Sequence, residues 1–149
     1  MLETINIVGG ALSQALETMA FMETMPVEED TLEPTSLYLT EIDFVGPQNG
    51  YLQILAGRAF ADALAETMGA LDEVTDEDCQ DALKELANVT CGLITPSMAS
   101  DTSDIYDLTV PSIYNGDNVP QWHTFTTDKD ACVLNVEGHL IAVKLKMHS

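Results

Sequence analysis

Apolar positions change their period twice along the chain, dividing it into a helical start, a mixed middle and a strand-rich end. Between residues 3 and 22, Ile5, Val8, Leu12, Leu16, Met19 and Met22 keep a helical spacing. Gly9 and Gly10 weaken the start of that helix, and Pro26 with the stretch EEDTLEP ends it. SLYLTEIDFVG and GYLQILAG then read as strands joined by PQNG, a hairpin signal. RAFADALAETMG, residues 58–69, predicts a short helix closed by Gly69. After LDEVT a longer helix is expected, with Thr75 as N-cap and Glu77 and Asp78 in the favourable first turn. It should run to about Ile94 and stop at Pro96.

The last third alternates. DLTVPSIYNG, QWHTFTTD, ACVLNVEG and HLIAVKLKM read as four strands, the first at an edge or bulged at Pro111. NVEGH signals a tight hairpin. In the final strand His139, Ile141, Val143, Leu145 and Met147 share one face, while Leu140, Ala142, Lys144 and Lys146 share the other, expected to be the wetter one. This order predicts an α+β fold with a largely antiparallel sheet of about six strands packed with three helices. No low-complexity stretch or linker divides residues 1–149, so one domain is expected.

Charge narrows the partners. Five Lys and Arg face 25 Asp and Glu, a formal net charge of -20. Such a surface repels phosphate backbones and anionic headgroups, which argues against nucleic acid and membrane partners, and it favours a partner with a basic docking face. Cys79, Cys91 and Cys132 form no disulfide framework, since two of them lie far apart on one expected helix. The N-terminal stretch opens with Glu3 rather than basic residues and is interrupted by Gln14 and Glu17, against a signal peptide; a cytoplasmic location is expected. No metal ligands are expected: His123, His139 and His148 are scattered, and Asp101, Asp104 and Asp107 lack calcium-loop spacing. Trp122 and the Met residues are expected in the core.

Candidate chemistry sits in the long helix, at DALKELANVTCG, residues 81–92. At about 100° per residue, Cys79, Leu83, Leu86, Thr90 and Leu93 stack within roughly 80°, the expected buried stripe. Asp81, Glu85, Asn88 and Gly92 fall within roughly 60° on the opposite side, one exposed ridge. Gly92 costs about 1 kcal/mol in a helix interior relative to Ala, which suits close approach by another backbone; small Ala87 and Cys91 are expected to keep the flank low.

The pattern Asp-x3-Glu-x2-Asn followed by Gly four residues later, on the long helix after RAFADALAETMG and an acidic loop, resembles the CheC/CheX family of chemotaxis phosphatases. A single well-formed motif in mid-chain is more similar to the CheX branch. ALETMAFM in the first helix and LTVPSIYNG after the motif helix also resemble that family. The resemblance implies a CheC-like fold and hydrolysis of the aspartyl phosphate on a CheY-type response regulator. It implies that Glu85 and Asn88 are catalytic: Asn88 positions the attacking water and Glu85 pairs with a lysine of the partner. Asp81, Lys84 and Gly92 would dock the partner. No cofactor would bind this chain, because the expected Mg²⁺ lies in the partner's receiver domain. The family also implies a homodimer.

Three departures stand out. Lys84 occupies a position where the family commonly has Gly, Pro96 is expected to shorten the helix, and the charge is severe for a protein that must meet an acidic site. Glu3, Asn6 and Gly10 repeat the spacing of Glu85, Asn88 and Gly92, a vestigial second site that lacks the upstream Asp. Two other functions fit the same ridge: a non-catalytic module that binds receiver domains, and a structural domain related to flagellar switch proteins.

Overall fold

The computed structural model describes residues 2–69, 73–101 and 103–148, with the side chains of Leu2 and Glu3 outside the description. Helix α1 (Leu2–Ala20) is followed by a two-residue strand β1 (Thr24–Met25) and the hairpin β2 (Leu37–Val45) and β3 (Gly50–Gly57). Helix α2 (Arg58–Thr67) and the long α3 (Asp76–Met98) come next, then the short strands β4 (Asp107–Leu108) and β5 (Ser112–Asn115). A one-turn helix α4 (Trp122–Thr126) precedes the final hairpin, β6 (Ala131–Val136) and β7 (His139–Met147). The fold is α+β.

Among the described residues every strand pairing is antiparallel, in the order β1-β6-β7-β3-β2-β4, with β5 also on β2. The β6–β7 hairpin closes through Glu137 and Gly138, both at positive φ (53° and 96°), the turn that the NVEGH signal calls for. Gly69, at φ 113°, terminates α2 as expected. Ala70–Asp72, the core of the expected acidic loop, lie outside the described residues.

The alternation along the strands separates two cores. Ile42, Phe44, Leu52, Ile54, Ile141 and Val143 meet Leu12 and Leu16 of α1, Phe60 and Leu64 of α2, and Leu83, Leu86 and Ile94 of α3. On the sheet's other face Leu39, Leu55, Leu140 and Ala142 pack under Trp122 and Phe125.

Several expectations are corrected. QWHTFTTD is not a strand but α4: Trp122 and Phe125, three residues apart, bury one helical face despite the strand propensity of Trp, Thr and Phe. For that reason the second face of β7 is not wet. Lys144 is buried with its ammonium 3.9 Å from the Phe125 ring centroid and 3.2 Å from Asp128 Oδ2, and Lys146 bonds Asp128 and Asp130. DLTVPSIYNG carries the bulge expected at Pro111, at the sheet edge, and the bulge divides it into β4 and β5. Pro96 does not stop α3, which runs on to Met98; so near the helix end the ring removes only one late hydrogen bond, the one to the Gly92 carbonyl. Among the methionines, Met22 is buried but Met25, Met68 and Met147 are exposed.

Candidate active site

The long helix starts at a complete capping box. Thr75 Oγ1 accepts from the Asp78 backbone N–H (3.1 Å) and the Asp78 carboxylate accepts from the Thr75 N–H (3.0 Å). The Thr75 backbone N–H, and after it the Thr75 side chain, hold the Asp78 carboxyl below the usual carboxylate range. Cys79, Leu83, Leu86 and Thr90 are buried as the spacing predicts, and the Thr90 hydroxyl donates to the Leu86 carbonyl at 2.7 Å. Leu93 is only half-buried, while Ala82, Ala87, Cys91 and Ile94 are buried. Ala87 and Cys91 therefore do not flank the ridge. The helix beds against α1 and α2 as well as the sheet, so its apolar arc is wider than one stripe and small residues let those neighbours approach.

Arg58, the sole arginine, fixes where the helix begins. Its Nε lies 2.8 Å from Asp62 Oδ1 within α2, and its Nη1 lies 3.5 Å from Asp76 Oδ1 at the start of α3. The Tyr38 hydroxyl of β2 donates to Asp76, and the Cys79 thiol donates to Asp62 at 3.0 Å. Burial, then the bond to Asp76, pushes the Tyr38 phenol up to about 12. Burial beside Asp62 likewise pushes the Cys79 thiol up to about 12, which makes it a packing group rather than a nucleophile. The Arg58 guanidinium holds the Asp62 carboxyl low. These contacts tie β2, α2 and α3 together.

With the helix so fixed, Asp81, Glu85, Asn88 and Gly92 are all exposed along one line. Among the described residues neither Glu85 nor Asn88 has a hydrogen-bond or ion-pair partner, and Lys84 has none either. Among the described residues a Cβ built on Gly92 would meet no heavy atom within 4 Å. The chain's own packing therefore does not require glycine there.

The ridge stands between two grooves. One, of about 540 Å³, has Asp81, Lys84, Glu85 and Asn88 on one wall and Leu108, Thr109, Val110 and Pro111 on the other. The second lies against the end of α2, where Met68 and Gly69 face Asp78, Asp81, Ala82 and Glu85. Leu108–Pro111 are not among the site residues that the sequence marks, although LTVPSIYNG carries part of the family resemblance. The segment's pattern is that of a strand, and only the β2 pairing brings it beside α3. The N-terminal pair is placed less fully: Asn6 is exposed on α1, but the Glu3 side chain lies outside the described residues. Among the described residues no three His, Cys, Asp or Glu side chains converge to hold a metal ion.

An exposed Glu and Asn one helical turn apart, unpaired and beside a groove, can enter another protein's site and position a small molecule there. The arrangement defines a helix-presented site on an α+β scaffold rather than an enclosed pocket.

The family model for the chemotaxis phosphatase CheX matches residues 38–136, and the chain belongs to that family. Solved structures share the fold. The chemotaxis protein CheX of Desulfovibrio desulfuricans has a TM-score of 0.72 at 18% identity, covering 98% of this chain and 99% of that one. CheX from Vibrio vulnificus gives 0.71 at 19% identity, with 98% and 97% covered. A CheX-CheY-BeF3-Mg+2 complex from Borrelia burgdorferi gives 0.66 at 17% identity, covering 97% of each chain. No match is found among curated proteins. No helix among the described residues is long and apolar enough to cross a membrane.

Proposed function

We propose that this chain hydrolyses the aspartyl phosphate of a CheY-type response regulator. The observation that carries the reading is the pair Glu85 and Asn88, exposed, one helical turn apart and without partners among the described residues. The complex of a CheX relative with CheY supports a receiver domain as the partner.

Acyl phosphates have a good leaving group, so holding a water in line with the scissile P–O bond is much of the work that remains. The Asn88 carboxamide accepts a hydrogen bond from that water without needing ionisation. The water oxygen forms the new bond to phosphorus, the bond to the aspartyl oxygen breaks, and the aspartate leaves as a carboxylate with inorganic phosphate. Glu85 pairs with a lysine lining the receiver's phosphate site. Asp81, Lys84 and Gly92 complete the docking edge, Gly92 by letting the partner's backbone approach. Mg²⁺ is the partner's, beside its phosphoryl group, and this chain supplies no cofactor. A receiver of this type places the reaction in the cytoplasm.

We read the protein further as a homodimer that leaves the ridge free. Strand β1 covers β6 only at Asn135 and Val136, so on that side Ala131–Leu134 have no strand partner among the described residues. Phe21 and Met25 are exposed near this edge. It lies at the opposite side of the sheet from β2, over which α3 packs.

Phosphate loss from candidate phosphorylated receiver domains tests the activity. Asn88→Ala should reduce turnover on the order of 10²-fold or more while binding weakens far less. Glu85→Ala should cost both rate and affinity, the affinity part shrinking as salt rises. If Asn88→Ala dephosphorylates as well as the parent, the catalytic reading fails. If the parent binds several receivers and accelerates phosphate loss from none, the chain is a docking module.

A further inference from the structure

The groove wall opposite the ridge is built by a β-bulge. Leu108 pairs with Phe44 and Ser112 pairs with Glu41, so two residues of β2 oppose three, Thr109, Val110 and Pro111. The bulge is clamped at its base: the Thr109 N–H donates to the Asp43 carbonyl, and the Asp43 N–H donates to Thr109 Oγ1, both at 3.0 Å. Pro111 restricts the other end. Val110 is thereby held outward at 87% exposure, the most exposed large apolar side chain among the described residues. At that exposure the Val110 side chain stands almost wholly in water.

What covers Val110 follows from the neighbouring charges. The ridge wall of the same groove carries Asp81, Glu85 and Lys84, and the chain as a whole stands at -20. A protein of that charge gains little long-range attraction toward an acidic phosphate site. Affinity must come from contact, and a rigid apolar knob beside the ridge supplies contact area with little side-chain entropy to lose.

We propose that Val110 is an affinity-determining contact for the phosphorylated receiver domain, seated on an apolar patch of that domain while Asn88 enters its phosphate site. The inference rests on the phosphatase reading. The contact is uniform in ground and transition states, so it sets KM rather than kcat.

The test uses the full chain and a phosphorylated receiver that the parent dephosphorylates. Val110→Asp and Val110→Ser should raise KM about tenfold or more, with kcat within about twofold of the parent, at both low and high salt. Val110→Ile should retain the parental KM. If Val110→Asp and Val110→Ser are folded and keep the parental KM while Asn88→Ala loses turnover, the contact is overturned and the phosphatase reading stands. A fall in kcat at unchanged KM also overturns it. A parent that neither binds nor dephosphorylates any receiver overturns both.

Discussion

Replacing Gly92 by Ala should make the protein more stable and a poorer phosphatase. Within α3 a glycine is destabilising by about 1 kcal/mol relative to Ala, because it loses more backbone freedom on folding. The new methyl would meet nothing within 4 Å, so no steric term opposes the gain. For a chain of this size about 1 kcal/mol corresponds to a rise in Tm of roughly 2–4 °C. Gly10 on α1 is the control: it is also exposed and unobstructed, and Gly10→Ala should raise Tm similarly without touching activity. Gly9 should gain less, since its Cβ would lie 3.0 Å from Cys132 Sγ. On the partner's side the methyl stands where the receiver backbone approaches, so KM should rise about tenfold or more, as expected when a buried contact is forced apart. Calorimetry and phosphate-release kinetics on the same samples check both arms. A Gly92→Ala protein with raised Tm and unchanged KM would refute the close-approach argument, and one with lowered Tm would refute the reading of an unobstructed helix surface.

Leu86→Ala, one position from Glu85 but fully buried, should destabilise by roughly 2–5 kcal/mol in denaturant unfolding. Asp128 is held below the usual carboxylate range, first by the Asp130 backbone N–H at 2.9 Å and then by Lys146 and Lys144. Its folded-state pKa is depressed, so its stabilisation is present above the unfolded value of about 4 and lost as pH falls below it. Asp128→Asn should therefore lower Tm at neutral pH and flatten its acid dependence below about pH 4, as followed by thermal melts. Sedimentation at micromolar concentration should show a dimer; only 16.2 kDa species would remove the pairing along β6.

The amino-acid sequence by itself determined the ridge. Asp81, Glu85, Asn88 and Gly92 share a helix face because 3.6-residue geometry is local, and the Thr75 cap is local for the same reason. The β2–β3 and β6–β7 hairpins were legible because strand alternation and turn chemistry lie within a few residues of one another. Where the reading failed, the deciding partner lay far along the chain. Trp122 and Phe125 form a helix because a sheet face needs covering, and Lys144 is buried because that helix and Asp128 meet it. Ala87 and Cys91 are buried because α3 beds against two helices and a sheet at once. The groove is also a tertiary product. Val110 is separated from Asn88 by a helix end, a loop and a strand, and only the bulged pairing with β2 sets it opposite the ridge. Local periodicity fixes which face a residue takes; long-range packing decides what that face meets.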